Sequence, residues 1–421
     1  VPAGRWICGT VELRSHVELH LAPGAVLVQS RERDDFTPHV DPQHPPHLDR
    51  KQTGLASMLL ARDCQEVAIT GPGCIDADTV TGGPRAYFVI CFMRCRGVRI
   101  SDCTIRNAKG WTCLLSCCDE VLVHAVRMRN PLGTGDGFDL DGCRDVRISD
   151  CDIITGDDCI VIKTCKPTRS AERITITNCV LRTSCAAMKI GTETWHDVRH
   201  VTMSNCVVHR SGRAVQLFSM DGATVEDVVV TGLSVDTNSG IIFNRPIHMD
   251  CCKRRHGGKL PGVDHEAVPV GRIRRVTISD CNLVTDGRII LTGTDRPLQD
   301  ITLRGIRMTV PWIEDMRRVA HTGDGMQCSN GSPDARLATA AVVAQDIDGF
   351  TLADLELRWP DGAAPADLAV KCELGEPQID PHNDDEPQPD FHALWLRRVT
   401  GRIAKAGLQS SQGGVPAVHE D

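Results

Sequence analysis

Aromatic side chains are scarce in this sequence. Only 4% of its 421 residues are Phe, Trp or Tyr, and there is a single Tyr. Since 41% of the residues are apolar, the chain can still form a large core, but that core must consist of Val, Ile, Leu and Cys rather than aromatic rings. A chain of this length usually divides into two or three domains, unless it is a repeat protein that grows along one axis.

Long apolar runs and an excess of basic residues are also missing. No segment approaches the roughly 18 consecutive apolar residues that suggest a membrane-spanning helix. The formal net charge of −8 argues against non-specific nucleic-acid binding, which requires a basic surface. We therefore expect neither a membrane span nor a nucleic-acid partner. An acidic ligand is compatible with this charge, because a local basic groove can lie on an acidic protein.

Cysteine, by contrast, is abundant. The 21 Cys residues are an odd number, so they cannot all pair within one chain. Cysteine-rich chains are typical of secreted proteins, and we expect a secreted or periplasmic location, although the opening residues Val1–Trp6 do not form a signal peptide.

No Cys pair has a second Cys pair or a His pair at the spacing of a zinc site. We expect no metal and no other cofactor, and the oligomeric state stays open.

A short strand followed by a turn recurs along the chain. The clearest copies are Val98–Cys103, Val146–Cys151, Ile174–Cys179, Val201–Cys206, Val276–Cys281, Ile301–Ile306 and Phe350–Leu355, with weaker copies at Val121–Val126 and Val228–Leu233. The first six copies in chain order end at positions 103, 126, 151, 179, 206 and 233, so the spacing between neighbouring copies stays in the twenties. A period of this size indicates a solenoid.

The residue types decide between two kinds of solenoid. Leucine-rich repeats share this period, but they need several Leu in each unit and a helical segment. Here Val, Ile, Thr and Ser dominate, and apolar and polar residues alternate as they do in strands. The pattern predicts an all-β fold, a single-stranded right-handed parallel β-helix with three short strands in each coil.

Five of the cysteines occupy the last position of a repeat, namely Cys103, Cys151, Cys179, Cys206 and Cys281. Equivalent positions stack on one another in successive coils. We therefore expect a column of free thiols in the core, where Cys behaves as a small hydrophobic residue. A disulfide framework is the alternative.

One β-helix domain is expected over residues 1–400, followed by a tail at 401–421 that ends in disorder. Stretches rich in Pro, His, Gly and charge interrupt the repeats at about 30–55, 244–271 and 310–338. Insertions of this kind lie at the rims of a solenoid groove and shape its ligand site.

Two lysines allow neighbouring coils to be aligned. Lys163 follows Ile160–Ile162 in the outward phase of the strand, and Lys189 follows its own strand in the same phase, one repeat later. Gln216 comes one further repeat after Lys189. We expect the three side chains to form one outward-facing stripe.

The same alignment brings carboxylates together. In the preceding coil Phe138 aligns with Ile160, which places Asp136 beside Asp158 of the next coil. Neighbouring strands lie about 4.8 Å apart. Asp136 and Asp158 are therefore expected to be close on one face, with Asp157 next to them.

Three neighbouring carboxylates suit hydrolysis of a glycosidic bond. Like charges raise one another's pKa, so one carboxyl can stay protonated as a general acid beside an ionised general base. Glycoside hydrolysis needs such an acid for the leaving oxygen and such a base for water. The alternative is that Asp157 and Asp158 only cap backbone N–H groups of a turn.

Two motifs carry a resemblance to glycoside hydrolase family 28, the polygalacturonase-like enzymes. Thr134–Asp139 resembles the family motif Asn-Thr-Asp-Gly-Ile-Asp, with Thr134 in place of Asn, and Gly156–Lys163 resembles Gly-Asp-Asp-Cys-Ile-Ala-Ile-Lys. His16–Ala25 and Val67–Asp76 are similar to the first coils of the family. The resemblance runs from about residue 1 to 310, and more loosely to 400.

This resemblance implies an inverting hydrolase acting on a pectin-like carbohydrate that contains uronic acid or rhamnose. It implies Asp158 as the general acid, and Asp136 and Asp157 as the groups that share the general-base role. Ser184 or Ala186 stands where the family has the His of Gly-His-Gly, and Gln216 and Phe218 stand where it has the Arg and Lys of Arg-Ile-Lys. These departures favour a divergent branch over strict polygalacturonase activity.

Lys163 and Lys189 are candidates for substrate binding beside the acids. They are expected to form either a cationic rail for a uronate carboxylate or a solvated ladder of ion pairs with acids such as Asp139, Asp141 or Glu193.

Further binding candidates lie in the neighbouring coils. Arg213 suits bidentate binding of a carboxylate, and Gln216 and Glu193 lie in the same region. Trp111 and Trp195 are expected either to stack on sugar rings or to pack inside the protein.

Three functions stay open. The first is glycoside hydrolysis. The second is a β-helix lyase or epimerase, in which Lys163 or Lys189 abstracts a proton and clustered Asp residues hold Ca²⁺. The third is a carbohydrate-binding β-helix without catalysis, because fold does not determine function.

Overall fold

The computed structural model describes residues 1–38, 56–78, 88–108, 110–131, 135–237, 244–255, 259–311, 335, 338–360 and 390–421. The regular elements that these ranges contain in full are parallel-paired β-strands and one short 3-10 helix, Arg33–Asp35. The fold is the right-handed parallel β-helix that the repeats predict. No helix within the described ranges has the length and apolarity needed to cross a bilayer.

The chain separates into two compact units. The first comprises Val1–Thr183 and Glu193–Cys206, and the second comprises Ser184–Thr192 and Val207–Asp421. The interpretation of residues 1–400 as one domain stays a prediction.

In the first unit each coil contributes three strands, and each strand pairs with the strand three places later in the chain. One column consists of β2 (Val11–Leu13), β5 (Ser57–Arg62), β8 (Phe88–Met93), β11 (Cys113–Ser116), β14 (Phe138–Asp141) and β17 (Ile160–Thr164). The next consists of β3 (Glu18–His20), β6 (Gln65–Thr70), β9 (Arg96–Ser101), β12 (Asp119–His124), β15 (Arg144–Ser149), β18 (Ala171–Thr177) and β21 (Val198–Ser204). The third consists of β1 (Gly4–Cys8), β4 (Ala25–Gln29), β7 (Cys74–Asp76), β10 (Thr104–Arg106), β13 (Arg127–Asn130), β16 (Asp152–Thr155) and β19 (Val180–Thr183).

The second unit has the same parallel pairing with longer strands. The last two residues of its first strand, β20 (Ala186–Thr194), belong to the first unit. The other strands are β22 (Val207–Ser211), β23 (Arg213–Ser219), β24 (Thr224–Thr231), β25 (Ser234–Thr237), β26 (Ile247–Cys251), β27 (Arg272–Thr285), β28 (Ile289–Thr292), β29 (Leu298–Thr309), β30 (Ala340–Arg358), β31 (His392–Ile403) and β32 (Val418–Glu420).

The repeats identified in the sequence pair in register. Val98 lies opposite Val121, Val121 opposite Val146, Val146 opposite Ile174, and Ile174 opposite Val201. All five side chains are buried. Equivalent apolar positions therefore stack into a continuous core.

The polar end of each repeat forms a corner of the coil. The residue before the final Cys has a positive φ at Asp102, Asp150, Asn178, Asn205 and Asp280, with values between 52° and 65°. Asp and Asn tolerate this left-handed conformation better than other side chains because they hydrogen-bond locally. The recurring Asp or Asn is thus the residue that turns the chain.

All cysteines in the described ranges are free thiols. Cys103, Cys151, Cys179, Cys206 and Cys281 are buried, as the free-thiol interpretation requires. A second column, not noticed in the sequence, comprises Cys64, Cys95, Cys118 and Cys143. Its thiols donate to backbone carbonyls, as in the 3.0 Å contact from Cys143 Sγ to the Leu115 oxygen.

The expectation of a disordered tail is wrong. Strand β32 pairs with β31, with Val418 opposite Leu394. The Asp390 carboxylate accepts hydrogen bonds from the backbone N–H groups of Gln412 and Gly414, at 2.9 and 2.5 Å. One acceptor thus organises a Ser- and Gly-rich turn that composition alone suggested to be disordered.

The expected interruption at 244–271 is shorter than the sequence indicated, because it contains strand β26. Most of the other two interruptions, 30–55 and 310–338, lies outside the described residues, as does Thr134.

Candidate active site

The pairing of β14 with β17 determines where the acids lie. Phe138 is opposite Ile160 and Asp141 is opposite Lys163, which confirms the predicted register. The Gly137 N–H donates 2.8 Å to the Asp158 carbonyl at the entrance to these strands. A Cβ on Gly137 would lie 2.3 Å from the Cys159 oxygen, so this close approach of two backbones requires glycine.

Asp136, Asp157 and Asp158 meet at this entrance. The backbone N–H of Asp158 donates to Oδ1 of Asp136 at 3.1 Å and to Oδ1 of Asp157 at 3.0 Å. Asp136 and Asp158 are buried, whereas Asp157 is half-buried. The predicted cluster therefore exists, and one N–H holds two of its carboxylates in place.

Burial raises the pKa of Asp136 well above its ordinary value of 3.8. The neighbouring charges of Asp139, Asp157 and Asp158 raise it further, whereas the ammonium of Lys163 opposes the rise. This is the environment in which a carboxyl can exchange a proton near neutral pH.

Lys163 lies beneath the acids and does not face solvent. Its side chain is 7% exposed, and its Nζ lies 3.4 Å from Asp139, 3.5 Å from Glu193 and 3.8 Å from Asp136. Burial alone would lower the pKa of Lys163, but the three carboxylates together raise it well above its ordinary value. The expectation of a solvated, outward-facing lysine is wrong, because the side chains around it cover it. The ion pairs with Asp139 and Glu193 are present.

Asp139 is a fourth carboxyl of the cluster. Its side chain is fully buried, and burial raises its pKa to about 7, a rise that Lys163 opposes. The motif Thr134–Asp139 contained this residue, but the sequence suggested only an ion-pair role for it. Asp139 lies opposite Val161, which points to the same side of its strand as Lys163. This alternation was the sequence signal that Asp139 shares a face with Lys163.

The two tryptophans differ in their surroundings. Trp111 is 6% exposed and packs with Leu60, Phe88 and Leu114. Its ring centroid lies 3.7 Å from Nζ of Lys163, so a cation already covers one face. These contacts correspond to internal packing rather than to a platform for sugar.

Trp195 is half-buried, and its backbone N–H donates 2.9 Å to the Thr164 carbonyl. Nζ of Lys166 lies 5.1 Å from its ring centroid. Trp195 contacts this exposed lysine and keeps part of its surface open, so it stays a candidate for sugar stacking.

Lys189, Arg213 and Gln216 lie in the second unit. Lys189 is opposite Gln216, as predicted, and Ala186 is opposite Arg213. All three candidates are buried, which corrects the outward orientation expected for Lys189 and Gln216. Arg213 donates from Nη1 to the Gln216 side-chain oxygen at 3.1 Å. The structure thus brings Arg213 and Gln216 together.

Sequence reasoning missed His248, which lies opposite Gln216 one coil later. Its Nε2 is 3.4 Å from Nη1 of Arg245, and its ring meets Phe218 edge-on at 4.8 Å. Burial, followed by the charges of Arg245 and two further arginines, lowers the pKa of His248 well below 6.5. The signal was Arg245-x-x-His248, which repeats the spacing of Arg213 and Gln216, but it lay in a stretch interpreted as a loop.

The profile of Glycosyl hydrolases family 28 matches residues 52–328 of the chain. A probable polygalacturonase from Vitis vinifera is 27% identical over 264 residues, which make up 56% of this chain and 53% of that protein. The chain therefore spans about half the length of this relative.

Two solved structures are similar in fold. An exopolygalacturonase of family 28 from Yersinia enterocolitica has a TM-score of 0.62 at 14% identity, covering 87% of this chain and 73% of that one. A hyperthermoactive exopolygalacturonase from Thermotoga maritima has a TM-score of 0.58 at 17% identity, covering 85% and 83%.

Proposed function

The chain belongs to Glycosyl hydrolases family 28, and on this premise we propose that it hydrolyses glycosidic bonds in a pectin-like polysaccharide or oligosaccharide that contains uronic acid or rhamnose. The reaction proceeds with inversion. Asp158 is the general acid, and Asp136 and Asp157 share the general-base role. The family relationship also supports a secreted or periplasmic location.

The observation that carries this proposal is the shared hydrogen bond at the acids. The N–H of Asp158 donates to carboxylate oxygens of both Asp136 and Asp157. The proposed acid Asp158 is itself buried, whereas Asp157, one of the two proposed bases, is half-buried. Two carboxyls whose environments differ can hold different protonation states, which is what acid–base hydrolysis of a glycoside requires.

A role for Arg213 and Gln216 in binding an acidic sugar is supported by their direct contact and by the charge around them. Arg245 and Arg288 act on the same neighbouring His248 as Arg213 does. A guanidinium cluster favours an anionic ligand, because Arg binds carboxylates in bidentate geometry. We assign Arg213, with Gln216 beside it, to recognition of a uronate.

The contacts of Lys163 speak against a lyase in which this residue abstracts the proton. A catalytic base must lose its own proton, but three carboxylates raise the pKa of Lys163 well above its ordinary value. The ammonium therefore stays protonated at any physiological pH.

The test is sugar release from pectic and other uronic-acid polymers and oligomers by the wild-type protein and by Asp158→Asn. The proposal predicts a saturated product from the wild type and a loss of ~10²–10⁴-fold in rate for Asp158→Asn, the range of a general acid–base contribution. Asp145→Asn is the matched control, because Asp145 is an exposed carboxylate that pairs with Arg173.

Other outcomes would redirect the assignment. An unsaturated product that absorbs in the ultraviolet would identify a lyase and contradict the proposal. Binding to the same polymers without any turnover would contradict it as well and would identify a carbohydrate-binding protein.

A further inference from the structure

The ammonium of Lys163 is surrounded by protein groups, so a substrate carboxylate cannot reach it. An ammonium group has three N–H donors, and three carboxylates lie around this one at 3.4, 3.5 and 3.8 Å. The Trp111 ring covers a further side at 3.7 Å. The side chain is 7% exposed. The cation is thus part of the interior and acts on the residues that enclose it.

We propose that Lys163 is a positioning residue that favours the ionised form of Asp136 in its role as base, and that Glu193 weakens this effect by sharing the same ammonium. This inference rests on the proposed function, because it assigns Asp136 to the general base. Under this inference Lys163 and Glu193 do not bind substrate. They set the pH range in which the enzyme is active.

The charge distribution supports this role. Asp136 faces the carboxyls of Asp139, Asp157 and Asp158 and the ammonium of Lys163. An opposite charge within about 4–6 Å lowers the pKa of a carboxyl by roughly 1–3 units. Without Lys163, burial and like charges would hold the proton on Asp136 to a higher pH, so that a smaller fraction of the carboxyl could accept a proton from water.

The groups involved come from several elements. Asp136 precedes β14, Lys163 lies on β17 and Glu193 lies on β20. Among the described residues, Asp139 on β14 and the pair in the turn before β17, Asp157 and Asp158, also act on Asp136.

Two substitutions are expected to act in opposite directions. Lys163→Met removes the favourable charge, so Asp136 ionises at higher pH. Glu193→Gln removes the carboxylate that competes with Asp136 for the ammonium of Lys163. The ammonium then stabilises ionised Asp136 more strongly, so Asp136 ionises at lower pH. The acidic limb of the pH profile of kcat/KM reports the ionisation of the base in the free enzyme. We expect this limb to move upward by about one pH unit or more in Lys163→Met, and downward in Glu193→Gln.

The acidic limb is expected to move in opposite directions in the two variants, and this distinguishes a positioning role from a merely structural one. Loss of packing would lower the rate without displacing the limb, or would displace it in the same direction in both variants, and either result would overturn the inference. Lys405→Met and Glu420→Gln are the controls, because Lys405 and Glu420 form an exposed ion pair in the second unit. Neither control is expected to displace the limb.

A second readout needs no substrate and thus separates this inference from the proposed function. The gain in unfolding free energy on Asp136→Asn is expected to grow with pH and to level off at the pH where folded Asp136 ionises. That levelling point is expected to rise in the Lys163→Met background and to fall in the Glu193→Gln background. If it stays constant in both, the inference is wrong, whichever sugar the enzyme cleaves. If it moves as expected while no sugar is released, only the proposed function fails.

Discussion

The backbone N–H of Asp158 donates a hydrogen bond of 3.1 Å to Oδ1 of Asp136, which lies one coil earlier in the chain. The contact joins the entrances of two adjacent strands. It therefore ties the position of the predicted base to that of the predicted acid, and any change in strand register would separate the two carboxyls.

Asp136→Asn is expected to lower activity strongly and to stabilise the fold. The pKa of Asp136 is raised in the folded state, so the unfolded chain ionises first as pH rises above 3.8. Native Asp136 therefore costs stability, and this cost grows with pH until the folded carboxyl ionises. We expect a loss of ~10²–10⁴-fold in kcat together with a higher unfolding midpoint at pH 7. Urea unfolding at pH 4 and pH 7 would measure the difference.

The stability of the control variant Asp145→Asn, at an exposed position, is expected to change with pH in the opposite direction. Arg173 lowers the pKa of Asp145 through a hydrogen bond. Asp145→Asn is expected to lower stability slightly at pH 7, and this effect is expected to vanish as pH falls below the ordinary value of 3.8. A similar response of Asp136→Asn would contradict the buried, raised-pKa environment.

Arg254→Met is expected to destabilise the second unit strongly. Arg254 and Asp221 are almost fully buried and pair through two hydrogen bonds of 2.6 and 2.7 Å. Removing one partner leaves a buried charge, which costs about 3–5 kcal/mol. Denaturant unfolding would measure this loss.

Arg398→Met is the matched comparison. Arg398 also pairs with a carboxylate, Asp346, through two hydrogen bonds, but its side chain is 54% exposed. The expected loss is about 0–1 kcal/mol. Equal losses of unfolding free energy in Arg254→Met and Arg398→Met would contradict the prediction that burial makes an ion pair more costly to break.

His248→Gln is expected to make stability less sensitive to acid. The pKa of His248 is lowered well below 6.5 in the folded protein, so only the unfolded chain takes up this proton as pH falls through 6.5. Stability is therefore lost below about pH 6.5. Gln at this position would reproduce the Arg213–Gln216 pair of the previous coil. Thermal unfolding at pH 7.5 and pH 5.5 tests this, and an unchanged pH response would contradict a buried neutral imidazole.

Most thiols are expected to be unreactive until the protein unfolds. Of the 19 cysteines in the described ranges, all but Cys8, Cys74 and Cys185 are buried, which leaves 16. Burial raises the pKa of Cys103 to about 12, and a protonated thiol is a poor nucleophile. With 21 cysteines in the sequence, at most five (21 − 16) are expected to react rapidly with a disulfide reagent. All 21 are expected to react after denaturation without reductant, and a lower number would indicate disulfides.

The register of the acids could be predicted because alternation leaves few choices. A shift by one residue would turn Phe138 outward and Asp139 inward, so the apolar pattern alone aligns Phe138 with Ile160. The same reasoning correctly aligned Lys189 with Gln216. Strand period and core burial are local properties, and the sequence reports them directly.

The surroundings of Lys163 could not be predicted in the same way. Its alternation phase suggested solvent, but it is covered by Trp111 from an earlier coil and by Glu193 from a later one. His248 was missed because the residues around it suggested a loop, and the ordered end of the chain depends on hydrogen bonds to Asp390. Contacts of this kind depend on which side chains meet across coils.

By itself the sequence determined the β-helix, the columns of the core and the meeting of Asp136, Asp157 and Asp158, because each follows from a period of two within strands and a period in the twenties between them. Only the tertiary structure decided which charges are buried, and hence that Lys163 is an interior cation shared by Asp136, Asp139 and Glu193. The physical reason is that a pKa depends on solvent exclusion and on charges within a few ångströms, and residues of neighbouring coils, far apart in the sequence, supply both.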